Sequence, residues 1–264
     1  MSIVDKIKAK QIADALEQGE QNPYLKPKGP PPIVAASLGK AARIKQAQLE
    51  KDPEFYAQAD SLQSTETASL KGAGQMMFEQ LQAALVTDIA RIKTHKKLAD
   101  KQALKATLLP NYLPFVVAYI KDGHDYPNNV ALMCMVWSFD ILDIETGISI
   151  AKYLIESKQQ LPANFNRDIP TFMCDAVYDW ANDQLKSKQS AQPYLGQVAA
   201  LVRDSDWDLH PAVQSKMYVM AAKHAFELGE FGSCLKWCVD AETANPDGAG
   251  VKTLKANAIK AMAQ

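Results

Sequence analysis

Six basic side chains crowd one short stretch of this 264-residue chain: Arg91, Lys93, Lys96, Lys97, Lys101 and Lys105 stand in RIKTHKKLADKQALK, with Asp100 the only acid among them. On a single helix, Lys93, Lys97, Lys101 and Lys105 fall at four-residue spacing and make a row of cations about 6 Å apart. Such a row can follow the phosphates of a nucleic acid, and several copies of the chain would present it repeatedly around one duplex. The plainer use of the same residues is a solvated helix face, partly offset by Asp100. These six are the candidate DNA contacts.

Carboxylates supply the next possible chemistry. Asp175, Asp179 and Asp183 share one helix face, with Asp168 just ahead of them, and three carboxylates in line could hold a divalent cation. Nuclease centres draw acids from several elements and add a Lys or His, which this stripe lacks, so a solvated face is the expected reading. Asp140, Asp143 and Glu145 sit where a turn between paired helices is expected, a place that favours Asp for capping. No GxxxxGK[ST] loop, HExxH, HxH or GxSxG occurs, and His95, His124, His210 and His224 lie in separate segments. No catalytic residue, metal ligand or cofactor site is predicted. Cys134, Cys174, Cys234 and Cys238 sit inside apolar helical patterns without a CxxC pair and are expected to be buried thiols. Trp137, Trp180, Trp207 and Trp237 are expected in the core rather than as base-stacking platforms.

At 47% hydrophobic and 22% charged residues the composition is that of a globular protein. No uninterrupted apolar run approaches the roughly 20 residues that span a bilayer, and charges occupy the start where a signal peptide needs an apolar stretch, so a cytoplasmic location with no membrane partner is expected. The net charge of −1 hides an asymmetry: residues 1–109 carry 16 Lys/Arg against 12 Asp/Glu, the remainder 13 against 18.

An all-α fold must position these groups, because no strand-like alternation bounded by hairpin turns occurs. Residues 1–66 read as a flexible segment with short helices and a Pro-rich linker at NPYLKPKGPPP. Residues 67–109 read as one long basic helix, or two broken near Thr94-His95. Leu70, Met77, Leu81, Leu85, Ile89, Ile92, Leu98 and Leu104 draw an apolar stripe along it, longer than one small core can cover. Coiled-coil-like packing into a homo-oligomer is the expected remedy. Residues 110–264 read as a helical-repeat domain, with helices at 112–121, 128–140, 144–157, 168–187, 193–203, 211–228, 231–244 and 249–262. Within it KMYVMAAKHAFELGEFGSCLKWCVDAETANP resembles a tetratricopeptide unit: Ala222 and Ala225 allow close approach, Gly229-Glu230-Phe231 turns, and Cys234, Cys238 and Ala241 face back. VALMCMVWSFDILDIETGISIAKYLIES has the same layout, with Gly147 and Ala151 as close-packing positions. Antiparallel helix pairs are the expected architecture.

At LLPNYLPFV, VALMCMVWSFDILDIETGISIAKYLIES and LPANFNRDIP the chain resembles the small terminase, or terminase endonuclease-subunit, family of temperate contractile-tailed phages. The resemblance spans roughly residues 67–264. It implies a subunit that binds double-stranded viral DNA, forms a homo-oligomeric ring and works with an ATPase large subunit to start genome packaging in the bacterial host. Family naming adds endonuclease activity, which no residue pattern here supports by itself and which is assigned to the complex. A tetratricopeptide-like adaptor that binds protein and never touches DNA is the alternative.

Overall fold

The computed structural model describes residues 67–162 and 165–263, with side chains from Gly74 onward. The expected short helices and Pro-rich linker before Thr67 lie outside these residues. Every regular element described is an α-helix: α1 Thr67–Thr94, α2 Leu98–Lys121, α3 Asn129–Asp140, α4 Ile144–Glu156, α5 Ile169–Lys186, α6 Tyr194–Asp204, α7 Pro211–Glu227, α8 Phe231–Ala244 and α9 Lys252–Met262. They pack largely in chain order, α1 on α2, α2 on α3, α3 on α4 and α4 on α5. Helices α5 and α6 lie against α7, α7 packs most extensively on α8, and α9 closes on α8. The buried apolar side chains form one connected cluster from Leu85 to Ala258.

The basic region is two helices, broken at His95–Lys97. Pro110, expected to stop a helix, instead sits inside α2 together with Pro114. An internal proline removes a backbone donor and costs about 3 kcal/mol. Against that, Leu109, Tyr112, Leu113, Val116 and Tyr119 on α2 are buried, each contributing about 1.5–3 kcal/mol. Tertiary burial therefore overrides the local stop signal. The same burial explains why α2, at 24 residues, is long and apolar enough to cross a membrane and yet serves here as a core helix, with much of its surface covered by α1 and α3.

Local signals set the other helix ends. Asn128 accepts a hydrogen bond from the Ala131 amide at 3.0 Å, Asp168 one from the Thr171 amide at 2.9 Å, and His210 Nδ1 one from the Ala212 amide at 3.2 Å. Five helices end in the same backbone hook, in which two successive amides after the helix donate to carbonyls of its last turn. The residue at its bend has positive φ: Gly123, Leu142, Lys158, Lys188 and Gly229. Gly147 has a different role, because a Cβ there would come within 2.9 Å of the Phe139 ring, so its absence lets α4 close on α3. Ala151, Ala222, Ala225, Cys234, Cys238 and Ala241 are buried as well.

Positive φ favours glycine over residues with a side chain by about 1 kcal/mol. Gly229→Ala should destabilise the fold by about that amount, while Lys188→Gly should be neutral or stabilising, both read from urea unfolding midpoints.

Candidate nucleic-acid interface

The basic residues collect at the elbow where α1 gives way to α2. Arg91 and Lys93 lie in the last turn of α1, where cations oppose the negative end of the helix dipole. Lys96 lies in the break, and Lys97 occupies the N-cap of α2 in extended conformation without a side-chain cap for the first-turn amides. Arg91, Lys93, Lys96 and Lys97 are exposed and Lys101 is half-exposed. None of the five forms an ion pair among the described residues.

This geometry corrects the continuous row. Because the helix breaks between Lys93 and Lys97, the two do not share a ridge, and the cations cluster around a bend instead of following a straight line. Lys105 leaves the cluster altogether. Its side chain is only 15% exposed and its Nζ lies 2.5 Å from Asp140 Oδ2, joining α2 to the end of α3. A sequence of lysines at regular spacing does not reveal which one finds a carboxylate 35 residues away.

Two contacts fix the angle of the elbow, and neither is evident from residue pattern. The Tyr112 hydroxyl donates to Asp88 Oδ2 at 2.6 Å, tying α1 to α2. Burial, and then that hydrogen bond, push the phenol well above its ordinary pKa. Higher up, Phe78 stacks on Phe115 at 5.7 Å and meets Tyr126 edge-on at 5.3 Å. The one available signal is Asp88 itself, an acid beside the apolar stripe between Leu85 and Ile89.

The residues of the acidic clusters, except the exposed Asp179, are engaged within the fold. Asp175 is paired with Arg167 and lies 3.9 Å from Lys216 Nζ, which itself sits 3.9 Å from the centre of the Tyr178 ring. Asp183 pairs with Lys186 at 3.0 Å. At the α3–α4 turn, Asp140 holds Lys105, Asp143 accepts from the Thr146 amide at 3.4 Å, and Glu145 accepts from the Tyr194 hydroxyl at 3.1 Å. A surface groove lined by Ile155, Lys158, Phe165, Arg167 and Asp168 brings no further set together, since Asp168 caps α5 and Arg167 is held by Asp175. All four cysteines are buried free thiols, and burial pushes Cys174 and Cys238 up to about 12. Trp137 is buried edge-on to Tyr112, Trp180 meets Tyr194, Trp207 is partly buried against the core, and Trp237 stacks on Tyr218 beneath Arg203.

Residues 82–210, from the middle of α1 to the cap of α7, match the family model described as phage small terminase subunit. Over this segment the chain is similar to phage small terminase subunits. It is 29% identical over 178 residues to a protein of Haemophilus phage HP1 described as "Probable terminase, endonuclease subunit", covering 67% of this chain and 62% of that relative. It is 28% identical over 112 residues to the "Terminase, endonuclease subunit" of Escherichia phage P2, covering 42% and 44%. The chain thus spans less than two thirds of either relative. No solved structure matches. The matched segment contains the whole basic elbow and both acidic clusters, whereas α7, α8 and α9 follow it.

Lys105 and Lys97 should separate by their effects on stability. Lys105→Ala strands a part-buried carboxylate and should destabilise by about 1 kcal/mol or more, whereas Lys97→Ala should stay within about 0.5 kcal/mol of wild type, both measured by urea unfolding.

Proposed function

We propose that this chain is a small terminase subunit that binds double-stranded viral DNA through the elbow cations Arg91, Lys93, Lys96, Lys97 and Lys101, assembles with further copies, and cooperates with an ATPase large subunit at the start of genome packaging in the bacterial cytoplasm. The observation that carries the DNA reading is the elbow: exposed cations without ion-pair partners among the described residues, gathered beside the uncapped N-terminus of α2. Phosphate oxygens suit both, because free amides at a helix start accept an anion and lysines release counterions on contact. Lys105 has no part in it. Helices α3 to α9 are read as a tetratricopeptide-like scaffold behind the elbow, and residues 67–109 as the region through which copies meet.

The names of the HP1 and P2 relatives attach endonuclease activity to this subunit. We assign cutting to the assembled complex, on the ground that Asp175 is neutralised by Arg167 and Lys216. Asp175→Asn with Asp179→Asn should accordingly leave DNA cutting by the reconstituted terminase within about twofold of wild type. Loss of cutting from a folded, assembled double variant would place the reaction here.

Lys96→Ala with Lys97→Ala should weaken DNA binding for all sequences alike. It should also flatten the dependence of affinity on salt, by about 0.9 for every phosphate that each engaged subunit ceases to neutralise. A salt titration measures both. An unchanged slope moves the DNA site off the elbow, and a wild-type protein that ignores DNA at low salt favours the adaptor function.

A further inference from the structure

The apolar stripe divides between two faces of α1. Leu85 and Ile92 are buried, and Phe78, Leu81 and Ile89 pack against the core; all five point toward α2 and α3. Substituting Leu81 or Leu85 would therefore damage the subunit itself and says nothing about assembly. On the opposite face Met76, Ala83, Val86 and Ala90 follow one another at intervals of seven, three and four, the spacing of a two-helix seam. This second face is open: Met76 is 63% and Val86 69% exposed, and Ala83 and Ala90 are exposed as well.

We propose that two copies of this chain pair antiparallel along this outer face of α1. Charge decides the direction. Glu79 stands toward the start of the seam and Arg91 and Lys93 toward its end, all exposed and without ion pairs among the described residues. A parallel pair would set Glu79 beside the partner's Glu79 and bring two basic elbows together. An antiparallel pair sets Glu79 beside the partner's Arg91 and Lys93, and Ala83 against the partner's Val86, where the alanine lets the helices approach closely. The two-fold axis then falls near residues 84 and 85, with Met76 opposite the partner's Lys93.

This pairing rests on the DNA-binding proposal for its purpose and narrows it: with Arg91 and Lys93 beside the partner's Glu79, Lys96, Lys97 and Lys101 of each elbow are left to meet phosphate. Each elbow lies about 11 residues from the axis, so at 1.5 Å per residue the two elbows stand about 33 Å apart. That is close to one turn of duplex DNA, about 34–36 Å. A pair would thus meet the same side of the duplex twice.

Two measurements on the full chain test it. First, with the native thiols buried, Met76→Cys protein mixed with Lys93→Cys protein should form a disulfide-linked dimer under mild oxidation, while neither variant alone should. Cross-linking of Met76→Cys by itself would show a parallel pair and overturn the proposal. Second, Val86→Asp, at an exposed site, should keep the wild-type helical content but reduce the mass seen by light scattering by about half or more, and its melting temperature should lose the concentration dependence of wild type. It should also weaken binding to a duplex two turns long while leaving a duplex shorter than one turn unaffected. A Val86→Asp protein of wild-type mass, or a wild-type monomer whose outer face is covered by residues 1–66, overturns the pairing yet leaves the terminase reading intact. A pair that forms without binding any DNA leaves the pairing intact and removes the reading it serves.

Discussion

Helix α2 has to hold together across two missing backbone donors. Pro110 and Pro114 remove them in mid-helix, so α2 is stable only where both flanks are covered, by α1 on one side and α3 on the other. That requirement fixes much else. It draws Phe78, Leu85 and Ile92 of α1 inward and places the Tyr112 hydroxyl against Asp88. It also sets the end of α3 beside Lys105. The elbow presents its cations because the helices on both sides of it are pinned by this one buried seam.

Much of the array is legible in the sequence because its signals are local. Helices α3 to α8 lie within about two residues of their expected bounds, since Asn128, Asp143, Asp168 and Pro211 act on the adjacent turn and Gly123 and Gly229 end a helix by their own backbone freedom. A break near Thr94-His95 is one of two readings of the basic stretch, and the chain takes it. What is not legible depends on partners distant in sequence. Residue spacing alone extends the lysine row through a break and includes Lys105, whose carboxylate partner belongs to α3. Residue type alone ends a helix at Pro110 that burial carries on to Lys121. Periodicity alone turns the apolar stripe one way, whereas its middle packs within the subunit and Met77 and Leu98 do not.

Charge in this chain is used in two distinct ways. Lys105 and Lys216 each meet a carboxylate of another helix, and Arg167 ties the segment before α5 to Asp175 within it. The Lys105–Asp140 pair, with Lys105 only 15% exposed, keeps more of its strength in salt than exposed pairs do. The elbow cations meet none among the described residues, and their electrostatic reach shrinks with the Debye length. Ionic strength therefore separates the two uses: salt screens the exposed elbow cations and leaves the Lys105–Asp140 pair largely in place.

The five backbone hooks have an evolutionary consequence. Their hydrogen bonds run from main-chain amide to main-chain carbonyl, so the angle at which one helix hands over to the next does not depend on the side chains at the tip. Leu142, Lys158 and Lys188 occupy bends that glycine would fill with less strain, and the hook forms with each of them. Turn tips can thus exchange apolar, basic or small residues while the array keeps its pitch. A scaffold of this kind can change what its turns display without rebuilding the core that holds the elbow in place.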